Sequence, residues 1–108
     1  MIDFVEYLSD IVILPNGKVE KWWREESHNV SLNDIKEILS KISEKNIDVM
    51  IIGTGYSGMM NVSKEVIKKH KLIGIKKLII ESTKNAVEIY NDLLRKEERI
   101  IAALHLTC

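Results

Sequence analysis

The most recognisable chemical pattern in this sequence is a set of three glycines near its centre. Gly53, Gly55 and Gly58 match G-x-G-x-x-G, and Glu81 stands at the end of the next predicted strand. In dinucleotide-binding domains such glycines allow a tight turn and a close approach of the backbone to a pyrophosphate, while an acid binds the ribose hydroxyl. A nucleotide site is therefore one hypothesis for this loop.

Three features of the chain argue against a nucleotide site. Its 108 residues lack room for the usual two mononucleotide-binding halves, no substrate domain follows, and the next predicted helix begins several residues after Gly58. The glycines could instead serve only to allow a positive φ in a turn from strand to helix. A further hypothesis is that exposed amides of the loop bind an anion or a small ligand. The candidates in this loop are Gly53, Thr54, Gly55, Tyr56 and Ser57.

Ser57 also invites a comparison with serine hydrolases, because a glycine stands two residues before it. The nucleophile elbow of those enzymes has the pattern G-x-S-x-G. Here Gly58 follows the serine directly, so the second glycine comes one position early. A serine hydrolase is therefore not expected.

An aromatic and basic segment precedes the glycine loop. Trp22 and Trp23 are adjacent on a predicted strand, so their side chains should point to opposite faces, one into the core and one to a surface or an interface. Arg24 and His28 lie just beyond and could bind an anionic group together. Packing of the tryptophans and solvation of the two basic side chains are the alternative interpretation.

Three more candidates lie in the second half of the chain. Asn91 shares a helical ridge with apolar residues, so it should face inward and find hydrogen-bond partners, with a ligand contact as the alternative. His105 has apolar neighbours, which favours a histidine with satisfied hydrogen bonds over a catalytic base. Cys108 is the last residue, and its terminal carboxylate disfavours the thiolate. The three histidines lie far apart and offer no metal spacing, so no metal site is expected. No cofactor is expected either.

The segment that must position Trp23 and Arg24 is a predicted β-hairpin. Residues 10–14 and 18–24 are β-rich runs on either side of Pro-Asn-Gly at 15–17, a typical turn sequence. Ser31 and Asp34 then resemble a capping box, and apolar residues at helical spacing predict a first helix over residues 32–43.

The rest of the chain alternates strands and helices. The predicted strands are 47–52, 77–80 and 99–106, and the predicted helices are 63–72 and a segment that begins at Thr83. Strands this apolar are typical of a parallel sheet that is covered on both faces. Right-handed crossovers then make the strands parallel, so an α/β sandwich with an N-terminal hairpin is predicted. Its three strands end at one edge, where ligands of such sheets bind.

Length and composition limit the class of protein. A chain of 108 residues suits one domain, 1–108, and its 16 basic and 16 acidic residues leave no net attraction for nucleic acid or an anionic membrane, although a local patch remains possible. No apolar run approaches the about 20 residues that span a bilayer, and the acidic start is unlike a signal peptide. A cytoplasmic protein without a nucleic-acid or membrane partner is expected, and its one cysteine excludes an intrachain disulfide.

Several short motifs, taken in order, are similar to those of a known family. They are Trp23-Arg24 within residues 17–28, G-T-G at 53–55, T-x-x-A-x-x-x-Y-N-x-L at 83–93 and H-L-T-C at 105–108. The chain resembles the adipogenesis-associated domain family, a family of unknown function with members in archaea, bacteria and eukaryotes and a mitochondrial complex I assembly factor among its relatives. The resemblance implies a three-layer α/β/α domain with a mixed sheet and no established catalytic activity.

The resemblance also implies a set of shared surface residues. These are Trp23, Arg24, His28, Gly53, Thr54, Gly55, Thr83, Asn91, His105 and Cys108. The leading hypothesis for function is a binding or assembly module that engages a protein partner, a second copy of the chain or a small anionic ligand. The alternative is a small enzyme that acts on a nucleotide-like or anionic substrate, with Arg24 as the anion contact and His105 as the proton carrier.

Overall fold

The strands and helices follow the predicted order of a hairpin and then alternating elements. The computed structural model describes residues 10–24, 29–42, 46–55, 58, 60–96 and 99–106. The strands are β1 (Ile11–Ile13), β2 (Val19–Lys21), β3 (Asn29–Val30), β4 (Ile47–Gly53), β5 (Asn61–Val62), β6 (Ile75–Glu81) and β7 (Ile100–Leu104). The helices are α1 (Leu32–Leu39), α2 (Lys64–Lys69) and α3 (Thr83–Leu93), and a short 3-10 helix, Leu94–Lys96, follows α3.

A five-stranded mixed sheet lies at the centre, with the strand order β2-β1-β7-β4-β6. β4 pairs in parallel with both β6 and β7, whereas β1 pairs antiparallel with β2 and with β7. β4 is almost entirely buried, as its apolar sequence predicts for a strand with neighbours on both sides. The predicted hairpin and the predicted parallel strands are both confirmed.

Helices cover both faces of this sheet. Met50 and Ile52 of β4 pack with residues of α1 and α2, whereas Val49 and Ile51 pack with residues of α3. Alternate residues of a strand point to opposite faces, so one apolar strand contributes to two separate cores. The α/β architecture with an α/β/α layer order is therefore confirmed.

The start of α1 has the capping box that the sequence predicts. The Asp34 N–H donates to Ser31 Oγ over 3.2 Å, and the Ser31 N–H donates to Asp34 Oδ2 over 2.9 Å. These two bonds satisfy main-chain donors that a helix start would otherwise leave open. The helix ends at Leu39, earlier than predicted, with Ser40 as its final cap.

Other boundaries differ from the prediction by a few residues. α2 is shorter than 63–72, although Ser63 does cap it by accepting from the Glu65 N–H over 3.1 Å. β6 begins two residues before the predicted 77–80, because it pairs with β4 from Ile75 onward. A short parallel pair between β3 and β5 was not predicted, and two residues on each side are too few to produce a sequence pattern.

Candidate functional site

The parallel strands of the sheet end together, and Gly53 lies at the centre of this edge. In the strand register Gly53 is opposite Glu81 of β6 and Leu104 of β7. A Cβ atom at Gly53 would lie 3.0 Å from Thr83 Oγ1 and 3.2 Å from Thr83 Cα. Glycine at this position therefore permits a close approach between the end of β4 and the start of α3, and the predicted common edge is present.

Thr83 connects the glycine turn to the end of β7. Its side-chain oxygen accepts from the Gly55 N–H over 2.8 Å, and its hydroxyl donates to the His105 carbonyl oxygen over 2.6 Å. The Thr83 N–H in turn donates to the Gly55 carbonyl oxygen over 3.0 Å. Thr83 is fully buried, so this residue acts as a structural link at the strand ends.

The described amides of the glycine loop all donate to atoms of the protein itself. The Thr54 N–H donates to the Glu81 carbonyl oxygen over 2.9 Å, and the Gly58 and Met60 N–H groups donate to the Gly55 and Thr54 carbonyl oxygens over 3.2 and 3.0 Å. With the Gly55 N–H held by Thr83, these four amides offer no open donor to an anion. Gly55 and Gly58 have φ values of +99° and +68°, as the turn hypothesis for these glycines requires.

A buried polar cluster of Asp10, Arg24 and His105 lies beside these strand ends. Asp10 Oδ2 is 2.7 Å from an Arg24 guanidinium nitrogen and 2.7 Å from His105 Nδ1. Asp10 Oδ1 accepts from the Leu106 N–H over 2.8 Å. Since the carboxylate only accepts, Nδ1 carries a proton that it donates to Asp10. This polar cluster therefore joins the start of β1, the segment after β2 and the end of β7.

The arginine of the polar cluster is also held by an aromatic ring. The Arg24 side chain is 5 % exposed, and its guanidinium carbon lies 4.4 Å from the centre of the Trp22 ring. A guanidinium that stacks on an indole gains an attraction from the negative face of the ring. His105 is 2 % exposed, so the basic groups of the cluster are enclosed by protein.

The contacts of Asp10 lower the pKa of its carboxyl group. Burial by itself would raise the pKa of the Asp10 carboxyl, but hydrogen bonds from the Leu106 N–H, His105 and Arg24, together with the Arg24 charge, lower that pKa below its ordinary value of 3.8. A carboxyl with a lowered pKa in the folded state stabilises the fold above the ordinary value and loses that contribution as the pH falls through the folded value.

The first prediction is a pH dependence of stability that originates at Asp10. In Asp10→Asn the free energy of unfolding should lie well below that of the unmodified protein at neutral pH, and the difference should shrink as the pH drops below 3.8. Urea denaturation over this range measures it. Asp48→Asn is the control for a carboxyl group that is more exposed than Asp10. The pKa of Asp48 is also lowered, mainly by the hydrogen bond from the Arg99 N–H. An Asp10→Asn deficit that stays constant with pH would contradict the assignment.

The two adjacent tryptophans have opposite environments, as predicted. Trp22 is buried in the core, whereas Trp23 is 67 % exposed. Both follow the last residue of β2 rather than lying within that strand. Lys21 Nζ lies 5.0 Å from the centre of the Trp23 ring, which is a cation–π contact at the edge of the sheet.

The remaining candidates fall into two groups. Asn91 lies about two turns along α3 from Thr83. Its Oδ1 atom is buried and accepts no hydrogen bond within the described ranges, so the expected partner is not found there. The other candidates, His28, Tyr56, Ser57 and Cys108, lie outside the described residues.

Asp10 is the member of the polar cluster that sequence analysis did not select. The antiparallel register pairs Ile11 with Leu104 and with Lys21, so the preceding residue comes beside His105 and Trp22. The only local signal is an acid directly before an apolar strand. That signal becomes informative only when the pairing of β1 with β7 is known.

The described residues contain neither a cluster of metal ligands nor a helix that could span a membrane. Over the described ranges, no three His, Cys, Asp or Glu side chains are grouped so that they could hold a metal ion. Over the same ranges, every helix is too short or too polar to cross a bilayer.

The sheet, its covering helices and the tied strand ends together define a small three-layer α/β domain with a buried polar cluster at one edge. The chain belongs to the family described as "Protein of unknown function (DUF498/DUF598)", whose model matches residues 1–105.

Solved structures of similar proteins share this architecture. PH1505, a conserved hypothetical protein from Pyrococcus horikoshii OT3, is 32 % identical over 93 % of this chain and 84 % of its own, with a TM-score of 0.75. MT938 is 25 % identical over 94 % and 84 % of the two chains, with a TM-score of 0.71. An outer membrane protein from Bartonella henselae has the same fold at 23 % identity over 93 % and 80 %, with a TM-score of 0.71.

Proposed function

We propose that this chain is a non-catalytic binding module that engages a partner protein through the surface around Trp23. The observation that carries the proposal is the exposure of this indole at the edge of the sheet. Tryptophan is among the residues most enriched at binding hot spots, because it brings a large apolar surface and a hydrogen-bond donor with few rotatable bonds.

The residues on either side of Trp23 support this role because they hold its backbone in place. The Trp22 N–H donates to the Asp10 carbonyl oxygen over 3.0 Å, and its indole ring is buried. On the other side, Arg24 is bound to the Asp10 carboxylate. A side chain presented from a fixed backbone loses little conformational entropy when a partner binds, so an ordered Trp23 favours association.

The polar cluster fits a structural role better than a catalytic one. A proton carrier or anion contact must reach its substrate, yet Arg24 and His105 are enclosed and both are tied to Asp10. The resemblance to the adipogenesis-associated domain family, with a complex I assembly factor among its relatives, also supports an assembly role. A cytoplasmic location is part of this proposal.

The test uses tagged full-length chain in a native extract, with Trp23→Ser as the variant and Leu94→Ser as the control. Leu94 is 45 % exposed on the 3-10 helix after α3, away from the hairpin. A retained protein is identified, purified and titrated against each form. Trp23→Ser should weaken binding by about thirtyfold, the size of a hot-spot loss of about 2 kcal/mol, and Leu94→Ser should not. Equal affinities for both variants, or a solitary monomer that retains nothing, would overturn the proposal.

A small enzyme with an anionic or nucleotide-like substrate is the second candidate. The observation that favours it is the short contact between Asp10 and His105 Nδ1, since a carboxylate at this distance orients an imidazole in many active sites. Thermal-shift measurements with nucleotides, phosphates and carboxylates separate the two candidates. A compound that raises the melting temperature at millimolar concentration supports the enzyme, and a panel without any such compound removes it.

A further inference from the structure

A basic segment with exposed aliphatic side chains runs from within α2 into β6. Residues 66–80 contain five lysines and no acid. Leu72 in this segment is 82 % exposed, and Ile67 is 50 % exposed. These are the two most exposed aliphatic side chains among the described large hydrophobic residues. Positive charge and apolar surface therefore occur together, although the chain as a whole is neutral.

The side chains around Ile67 form one face of α2. Lys64, Ile67 and Lys68 are spaced three and four residues apart, so they lie on the same side of the helix, and all three are exposed. Lys69 is on another side and pairs loosely with Glu65 over 3.9 Å. Within the described part of the chain, Lys64 and Lys68 have no acidic partner that would neutralise this face.

The turn that carries Leu72 is held on both sides by hydrogen bonds. His70 Nδ1 lies 2.9 Å from the Ile75 carbonyl oxygen and donates to it, while the Ile75 N–H donates to the His70 carbonyl oxygen over 3.0 Å. The Leu72 and Gly74 N–H groups donate to the Lys69 and Lys71 carbonyl oxygens over 3.0 and 3.3 Å. Leu72 is therefore presented to solvent by a well-bonded turn.

An open recess lies directly beside this turn. Its volume is about 340 Å³, and its lining residues are Asn46, Lys71, Gly74, Ile75 and Lys76. Two lysines and an amide at the mouth of a shallow concavity suit a phosphate group. Among the described residues, the one ion pair that Lys76 would release is a long contact of 3.5 Å with Asp48.

We propose that this surface, formed by Lys64, Ile67, Lys68, Lys71, Leu72 and Lys76, is a peripheral docking site for an anionic phospholipid bilayer. Leu72 and Ile67 enter the boundary between headgroups and acyl chains, and the lysines contact lipid phosphates, one of which occupies the recess. Basic side chains around protruding aliphatic ones are the usual composition of a surface that rests on such a membrane.

The composition of this surface favours a bilayer over a protein or a nucleic acid. Protein interfaces are depleted in lysine and enriched in arginine and aromatic residues, and none of the latter is present among the six residues. Nucleic-acid binding would give no role to two exposed aliphatic side chains. The turn with Leu72 and the recess lie beside the amino ends of β4 and β6. Trp23 follows β2 at the opposite end of the sheet, so the two contacts are compatible.

The test is co-sedimentation of the full chain with vesicles of phosphatidylcholine alone or mixed with phosphatidylglycerol. Binding should require phosphatidylglycerol and weaken with added salt. The double variant Lys68→Glu, Lys71→Glu should reduce vesicle binding at least about twentyfold, because each lysine near the membrane contributes about fivefold. Leu72→Ser should also reduce vesicle binding. Leu94→Ser and Lys18→Glu, at exposed positions elsewhere, should leave it unchanged.

The following results would overturn the proposal. They are an absence of binding to the anionic vesicles, equal binding to neutral vesicles, full binding by Leu72→Ser, and tighter binding to RNA or to an acidic peptide than to vesicles. Saturable binding of soluble glycerol phosphate with no vesicle binding would also overturn it, because the recess would then hold a free phosphate. Circular dichroism verifies that the variants, all at exposed positions, keep the fold.

Discussion

Replacing Asp10 with alanine should lower the free energy of unfolding by about 3–5 kcal/mol, the loss expected when one partner of a buried ion pair is removed. The variant keeps the enclosed Arg24 charge but lacks the carboxylate oxygen that lies 2.7 Å from it. The same change removes the acceptor of His105 Nδ1 and of the Leu106 N–H. Urea denaturation at neutral pH measures the loss.

Two further variants decide whether the loss comes from the buried charge. Asp48→Ala breaks the long, exposed contact to Lys76, which should cost below about 1 kcal/mol, and removes the acceptor of the Arg99 N–H. Arg24→Met in the Asp10→Ala background should recover part of the stability, because the charge is then absent together with one of its partners. If the stability lost in the double variant equals the sum of the losses in Asp10→Ala alone and Arg24→Met alone, Asp10 and Arg24 do not interact energetically.

Replacing Thr83 with valine should lower the free energy of unfolding by about 2–6 kcal/mol, since two buried groups lose a partner at about 1–3 kcal/mol each. Those groups are the Gly55 N–H and the His105 carbonyl oxygen. Valine has nearly the shape of threonine and a similar helix propensity, so the change isolates the hydroxyl.

Thr83→Ser is the matched control for this variant. Serine keeps the hydroxyl and loses one methyl group, which should cost about 1 kcal/mol. Hydrogen exchange gives a local measure, because the Gly55 amide should lose protection in Thr83→Val and retain it in Thr83→Ser. Equal stability of the two variants, with equal protection at Gly55, would show that the hydroxyl does not hold the glycine turn.

Much of the architecture was predictable because its signals are local. Apolar runs identify β4 and β7, apolar residues at helical spacing identify α1, and Ser31 with Asp34 identifies the start of that helix. The opposite environments of Trp22 and Trp23 follow from the alternation of side chains in extended backbone. The common edge at Gly53 and Thr83 follows from parallel strands that must end on one side of the sheet.

The contents of the candidate site were only partly predictable. Gly53, Thr83, Arg24 and His105 were selected and do come together at the strand ends. The hypothesis of open loop amides did not foresee that a side-chain oxygen and carbonyl oxygens of the protein accept from them. Whether a loop donor faces inward depends on which element packs against it, and sequence spacing carries no information about that contact.

The sequence by itself determined the order and the types of the elements and the apolar faces that they bury, because hydrophobic periodicity and capping act over a few residues. Tertiary structure alone decided that β1 lies antiparallel to β7, which brings Asp10 to His105 and Arg24. Strand pairing and register are set by the packing of the complete sheet between two helical layers. The polar cluster thus arises from residues 95 positions apart in the chain.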